Sequence, residues 1–290
     1  MRRLCAMALM VSIMFIGFGC GPSQPHGQDH GKMNPAQDRQ GAAKNEYRAN
    51  VAGTPDLIDG KERDNRQPQP LTLAELRYKY RSNFLLNGTS SKNEVALTFD
   101  DAPDEKFTPQ VLDVLKKYQV KATFFVMGNR AEAHPDLIRR MLDEGHVIGN
   151  HSYSHPNFPK LGDLAFQNEV LKTQQIIRQL TGHTPAFIRP PYGNVSEDQI
   201  KWLVSQKLKV VNWNVDSLDW KGLTGEQVSA NVLTHTGRGS IVLQHAAGGQ
   251  GEDLTGTVEA LPIIIETLRK QGITLVTVPE LLDMPGYLES

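Results

Sequence analysis

The sequence predicts a parallel α/β domain whose strands close into a distorted (β/α) barrel of about seven strands, preceded by a flexible tether. Three observations carry the barrel. Short apolar, β-branched runs alternate with segments of helical spacing from Val95 to Val278, the pattern of a parallel sheet with helical crossovers. Polar clusters follow nearly every strand, as expected when loops at strand C-termini converge on one site. An open doubly wound sheet, the other option, should carry a glycine-rich loop after its first strand, and Asp100-Asp101-Ala102-Pro103 stands there instead.

Ahead of the domain, Arg2 and Arg3 precede an uncharged run from Leu4 to Gly19 that closes on Cys20. Charged, apolar and small segments in that order make residues 1–20 an export signal. Because Gly19-Cys20 ends the run, the segment resembles a bacterial lipoprotein signal, which implies that Cys20 becomes a lipid-bearing N-terminus held to a membrane. A plainly cleaved signal and an uncleaved anchor are the other readings. Residues 21–70 are rich in Gln, Asn, Asp, Gly, Pro and Lys and cannot bury enough apolar surface to order themselves. They read as a tether of roughly 40 Å root-mean-square span. Cys5 and Cys20 are the two cysteines, so the folded part is expected to use no disulfide. Thirty-one basic against 32 acidic residues leave a net charge of −1, which gives no electrostatic reason to expect nucleic acid.

Residues 71–92 are a docking helix and lead-in, with Leu71, Leu73, Leu76 and Tyr80 spaced for a helix and Asn87-Gly88 marking a turn. Residues 93–290 are expected to form the main folded domain. Its strands are expected at Val95–Phe99, Ala122–Val126, His146–Gly149, Ala186–Arg189, Val210–Trp213, Ser240–Gln244 and Thr274–Val278. Helices are expected at Thr108–Tyr118, Pro135–Glu144, Asp163–Leu180, Ser196–Gln206, Thr224–Leu233 and Thr257–Gln271.

The chemistry gathers at the strand exits. His151 and His155 stand four apart and can aim both imidazoles at one point, in a helical turn or a tight loop. A helical zinc-protease motif would place Glu after the first His as base; Ser152 is there, so a third ligand and a base must come from elsewhere. Asp100 and Asp101 can divide that work, one holding a metal and its neighbour addressing water, although an isolated Asp-Asp serves equally well as a helix cap. Arg189-Pro190-Pro191-Tyr192-Gly193 offers a cation and a stiffened backbone. Asp216 and Asp219 sit beside Trp220, and Leu243-Gln244-His245 ends the sixth strand.

Taken in order, Thr-Phe-Asp-Asp, His-Ser-x-x-His, Arg-x-Pro-Tyr, Asp-x-x-Asp-Trp and Leu-x-His resemble the five motifs of the NodB-type polysaccharide deacetylases, carbohydrate esterase family 4. The resemblance covers about Asn93 to Leu282. It implies one divalent metal ion, zinc first with cobalt, nickel or manganese as alternatives, held by Asp101, His151 and His155. Asp100 would be the general base, oriented by Arg189, and His245 the general acid, oriented by Asp219. The Tyr192 backbone N–H would stabilise the oxyanion, while Trp220, Leu243 and Pro191 would wall the acetyl pocket. The first motif of the family continues Gly-Pro where this chain has Ala102-Pro103, so a left-handed residue there would strain Ala102 by about 1 kcal/mol.

The implied substrate is a polymeric N-acetylated glycan. An exported, tethered domain points to peptidoglycan amino sugars at the outer face of the cell membrane; chitin oligomers come second and O-acetylated xylan third. A monomer is expected. Two rivals of other classes are a wall-binding protein that keeps the fold without turnover, and a metal phosphoesterase, which would need ligands for a second metal.

Overall fold

The computed structural model describes residues 72–289; the expected signal with Cys20 and the tether over 21–70 lie outside them. Nine strands, all paired in parallel, form one sheet: β1 (Phe84–Leu85), β2 (Glu94–Ala102), β3 (Thr123–Val126), β4 (Val147–Asn150), β5 (Phe187–Ile188), β6 (Lys209–Val211), β7 (Val215–Asp216), β8 (Ile241–His245) and β9 (Thr274–Val276). The helices are α1 (Thr72–Lys79), α2 (Phe107–Tyr118), α3 (Gly128–Ala133), α4 (Pro135–Asp143), α5 (Asp163–Thr181), α6 (Glu197–Ser205), α7 (Gly225–His235), α8 (Thr255–Lys270) and α9 (Val278–Leu282). All seven expected strands form. The two extra ones, β1 and β7, are two residues long, too short to show any periodicity in sequence.

The strand path runs β1-β6-β5-β4-β3-β2-β8-β7, with β9 on β2. Strand β2 is the spine. Ala96 pairs with Val276 of β9 and Ile241 of β8, and Thr98 with Thr123 of β3 and Leu243 of β8. Strands β9 and β3 therefore share one edge of β2 in succession. The sheet curls into a distorted barrel whose ends are β1 and β7. An antiparallel bridge from Asn87 to Ser240 and the Gly88 N–H to Gly239 carbonyl bond (2.8 Å) tie the exit of β1 to the start of β8 at the base.

Side chains alternate across the sheet as the two-residue period requires. Val95, Leu97 and Phe99 join the large cluster shared with α2, α7 and α8. Ala96 belongs instead to a second cluster with Phe125, Phe187, Val211 and Ile241, to which α9 adds Val278 and Leu281. Polar residues thus enter the barrel on the inward positions of β2, at Thr98 and Asp100. A third cluster seats α1: Leu73, Leu76 and Tyr80 pack on Phe158, Phe166, Val195 and Ile200. Lys79 (2.6 Å) and the Tyr80 hydroxyl (2.7 Å) both donate to Glu197 Oε1, so the expected docking helix is pinned to the start of α6.

One buried group makes the fold pH-sensitive at a distance from the rim. His146, 3% exposed, accepts the Ala122 N–H at Nδ1 (3.1 Å) and stacks edge-on against Phe124. Burial lowers its pKa from 6.5 to about 4, with Lys121 and Arg140 acting the same way and Glu144 opposing. The folded value lies below the unfolded one, so the unfolded chain binds the extra proton and stability falls as pH drops from about 6.5 toward 4. Urea unfolding is expected to lose about 2 kcal/mol between pH 7 and pH 5 from this residue. His146→Gln, which keeps an acceptor for Ala122, should remove that part of the pH slope; an unchanged slope would show that His146 is not its source.

Candidate metal centre and catalytic rim

The two adjacent carboxylates meet at one imidazole because β2 is irregular. A regular strand would send Asp100 and Asp101 to opposite faces. Here the register with β3 slips between Phe99 and Ala102, and Asp101 takes φ 65°, a left-handed conformation that short polar side chains tolerate better than others. Asp100 Oδ2 then lies 3.7 Å and Asp101 Oδ1 3.3 Å from His151 Nε2. The strand was expected to stop at Phe99; instead it carries both aspartates and ends at Ala102. The strain expected at Ala102 falls on Asp101, and Ala102 is buried in the large core. Asp104, from the same sequence cluster, serves α2: its Oδ1 accepts the N–H groups of Lys106 (3.1 Å), Phe107 (2.6 Å) and Thr108 (3.0 Å). Burial raises the Asp104 pKa against the pull of those bonds.

The two histidines stand in a tight loop after β4. Ser152 and His155 both have φ 65°, and side chains take up the backbone donors that this coiling exposes. Asn150 Oδ1 accepts Ser152 N–H (2.8 Å), and Ser152 Oγ accepts His155 N–H (2.9 Å). Glu169 of α5 accepts the N–H groups of Tyr153 (2.9 Å) and Ser154 (2.8 Å) and the Ser154 hydroxyl (2.7 Å). Sequence reasoning missed Asn150, which caps the loop two residues on, and Glu169, whose role depends on a contact across 16 residues.

Asp101, His151 and His155 are buried, and their ligand atoms lie within 4.8 Å of one another. Both His Nε2 atoms face Asp101 Oδ1, at 3.3 and 3.4 Å. A tetrahedral ion with bonds of about 2.0–2.1 Å separates its ligands by about 3.3–3.4 Å. The chemistry agrees with the spacing. His151 Nδ1 is 2.7 Å from the Arg189 carbonyl, an obligate acceptor, so Nδ1 carries the proton and Nε2 presents its lone pair to the carboxylate. Acceptors converging in a buried site require a cation or protons between them, and the second-sphere carbonyl on His151 is the usual partner of a metal-bound imidazole.

Arg189, at the exit of β5, is fully buried. Its Nη1 donates to Asp100 Oδ1 (2.7 Å) and Thr98 Oγ1 (2.8 Å), its Nε to the Val211 carbonyl (2.9 Å) and its Nη2 to that of Asn212 (3.2 Å). The guanidinium lies over the Phe125 ring, 4.1 Å from its centroid. Beyond it, Pro191, Tyr192 and Gly193 form one 3-10 turn, with Tyr192 at φ 58°. Gly193 has φ 69°, and a Cβ there would stand 3.0 Å from the Trp213 ring and 3.1 Å from Asn212 Nδ2. The glycine lets the turn close, and Asn212 Nδ2 holds its carbonyl at 3.0 Å. The Tyr192 ring meets His155 edge-on at 4.6 Å.

His245 lies opposite Asp100 in the β2–β8 register, which sets a second titratable pair beside the first. Asp219 Oδ1 is 2.7 Å from His245 Nδ1 and accepts Trp220 N–H (2.9 Å); Oδ2 accepts His245 N–H (2.8 Å) and the Thr257 hydroxyl (2.7 Å). Burial would raise the Asp219 pKa, but His245 and Thr257 hold it below the usual carboxylate value. Trp220 is 8% exposed with Nε1 3.4 Å from Asp216 Oδ1, and Leu243 is fully buried on β8. The structure therefore brings every sequence-predicted site residue in 93–290 to one rim.

A second fully buried guanidinium was not anticipated. Arg130 of α3 donates through Nη1 to the Asp101 carbonyl and through Nη2 to the Gly248 carbonyl, both at 2.8 Å. It ties the left-handed Asp101 to the loop that follows His245. No motif marks it, because its partners are backbone atoms that any sequence could supply.

A buried Asp-His-His cluster at the C-terminal end of a parallel barrel, beside a His-Asp pair on the adjoining strand, defines a barrel hydrolase with a candidate metal centre. The polysaccharide deacetylase family model matches residues 87–211. The peptidoglycan-N-acetylglucosamine deacetylase of Bacillus cereus is 46% identical over 198 residues, 68% of this chain and 71% of that protein. The peptidoglycan-N-acetylmuramic acid deacetylase PdaC of Bacillus subtilis is 40% identical over 198 residues, covering 68% of this chain but 40% of its own longer one. A crystal structure of a peptidoglycan N-acetylglucosamine deacetylase bound to a naphthalenyl N-hydroxybenzamide superposes with a TM-score of 0.70 at 44% identity, over 75% of this chain and 99% of that one. The chain belongs to the polysaccharide deacetylase family and is a hydrolase of amide bonds.

Removing the Arg130 clamp frees the Asp101 carbonyl. If the Asp101, His151 and His155 cluster takes up a divalent ion, Arg130→Met is expected to weaken its binding by about 10- to 100-fold, the usual effect of losing an outer-sphere partner, measured by competition with a chromogenic chelator. An unchanged dissociation constant in a folded variant would assign Arg130 to stability alone.

Proposed function

We propose that the protein removes N-acetyl groups from amino sugars of peptidoglycan, N-acetylglucosamine or N-acetylmuramic acid, releasing acetate outside the cytoplasm. The observation that carries this reading is the pairing at one rim of the Arg189-held Asp100 beside the Asp-His-His cluster with the Asp219-held His245 across the β2–β8 register. Amide hydrolysis needs a base for the attacking water and an acid for the departing amine, and this arrangement supplies one of each. The relatives named above act on the two candidate sugars.

Asp101, His151 and His155 would hold one divalent ion, zinc by the mixed nitrogen and oxygen donor set. When bound, such an ion lowers the pKa of water and polarises the acetamide carbonyl. Asp100, held by Arg189 with Oδ2 turned toward His151, accepts the proton of the attacking water. The Tyr192 N–H, carried on its left-handed turn, donates to the oxygen on which charge develops. His245 then passes a proton from Nε2 to the leaving nitrogen, because its Nδ1 is committed to Asp219 and the two roles cannot exchange. Trp220, Leu243 and Pro191 confine the acetyl methyl.

The expected signal over residues 1–20, with Cys20 as a lipid anchor, would hold the domain at the outer face of the cell membrane beside that substrate. Among the described residues no helix is long and apolar enough to cross a membrane.

Purified peptidoglycan and chitin pentamer, treated in parallel with zinc-loaded protein, are expected to show deacetylated amino sugars by mass spectrometry, with turnover favouring peptidoglycan. Preference for the chitin pentamer would overturn the substrate. Asp100→Asn should keep zinc and lose about 10²-fold or more in kcat, as for removal of a general base; near-normal turnover would take Asp100 out of that role. His151→Ala should lose tight zinc, so an unchanged stoichiometry would dismiss it as a ligand.

A further inference from the structure

The loop that carries both histidines is coiled around a carboxylate from another element. The N–H groups of Ser152 to His155 all go to side chains: Ser152 to Asn150 Oδ1 (2.8 Å), Tyr153 and Ser154 to Glu169 Oε2 (2.9 and 2.8 Å), and His155 to Ser152 Oγ (2.9 Å). Two successive donors thus converge on one oxygen just after the left-handed Ser152, the concave arrangement of N–H groups that binds anions. Glu169 Oε1 takes the Ser154 hydroxyl (2.7 Å), so both oxygens of the carboxylate face the loop. From the other side, α3 donates the Gly128 N–H to the Ser152 carbonyl (2.9 Å) and the Asn129 N–H to that of Tyr153 (3.0 Å). A Cβ on Gly128 would stand 2.6 Å from Thr173 Oγ1 and 2.8 Å from the Tyr153 ring. Helix α3, the loop and α5 therefore meet without slack.

We propose that Glu169 is a positioning residue for the two histidines: its carboxylate is a built-in anion that coils residues 152–155 and thereby sets metal affinity without touching the ion. The inference rests on the reading of Asp101, His151 and His155 as a metal cluster. Two left-handed residues other than glycine, Ser152 and His155, are unfavourable in an unsupported loop. A bond from a backbone N–H to an ionised carboxylate is about twice as strong as a neutral one, and Glu169 accepts two of them between those residues. Without it the Tyr153 and Ser154 donors lose their acceptor, and ordinary right-handed conformations open to their neighbours. The consequence falls first on His155, whose Nε2 must stay at 3.4 Å from Asp101 Oδ1. His151 is steadied separately, by the Arg189 carbonyl on its Nδ1. What the concavity recognises is a carboxylate and not a glutamate, so a free carboxylate can take the place of the side chain. Glu169→Ala removes a methylene and a carboxylate, the heavy atoms of acetate, and alanine is the strongest helix former, so α5 stands.

The test reads amide hydrogen exchange by NMR in the full-length protein, zinc-loaded and stripped of metal, together with the zinc Kd from chelator competition. In Glu169→Ala the Tyr153 and Ser154 amides are expected to exchange about tenfold faster or more, the factor carried by a hydrogen bond to a charged group, while the β2–β3 ladder keeps its protection. Sodium acetate should restore protection in the metal-free variant, where it has no ion to bind, and sodium chloride should not. The zinc Kd should rise by about 10- to 100-fold. Glu169→Gln is expected to stay near the unaltered protein in both readings, because its amide oxygen still accepts both N–H groups and the Ser154 hydroxyl can turn to accept from its NH2. Unchanged exchange at 153 and 154 in Glu169→Ala, or faster exchange with an unchanged Kd, would overturn the proposal. So would exchange accelerated equally across the ladder, which marks a purely structural role, or acetate without effect. Absence of zinc uptake by the unaltered protein would sink the metal reading itself, and with it the role given to Glu169.

Discussion

The whole rim depends on a positive charge that cannot reach water. Arg189 is fully buried, and an isolated ion in that position would be prohibitively unstable. It is tolerable because four acceptors surround it, from β2, β6 and the residue after β6. One of the four is the carboxylate of Asp100. Leaving either partner alone would strand a desolvated charge, at about 3–5 kcal/mol for a buried pair. The barrel interior and the orientation of Asp100 are therefore a single problem with a single solution. The Arg189 carbonyl also fixes the tautomer of His151, so the same residue holds Asp100 and His151 through different atoms.

The two titratable pairs are set apart by how their carboxylates are satisfied. Asp100 meets a permanent cation. Asp219 meets an imidazole, two backbone N–H groups and the Thr257 hydroxyl, and is held ionised although buried. Two chemically similar acids thus differ in their neighbours: that of Asp219 can exchange a proton and that of Asp100 cannot.

What could be read in the sequence follows from what is local. Seven strands and the order of polar clusters came from periodicity along the chain, and each cluster fell at a strand exit where the polypeptide turns. The convergence of Asp100 and Asp101 could not be read that way, since it comes from a register slip against β3 and a left-handed Asp101. Nor could Arg130, Glu169 or Thr257. Each acts on an atom far along the chain, and two of the three reach backbone groups that carry no signature. The two-residue strands β1 and β7 were silent because so short a run has no period. Ala102 was suspected of strain by analogy with a glycine; the turn that needs a left-handed residue lies one position earlier.

Five non-glycine residues of the rim, Asp101, Ser152, His155, Tyr192 and Leu218, sit at positive φ, each at about 1–2 kcal/mol above the ordinary regions. At Asp101 and His155 the side chain that would hold an ion is also one that the backbone resists. Glycine at either of these two positions would relax the chain and remove a candidate ligand, so backbone comfort and the cluster pull in opposite directions there.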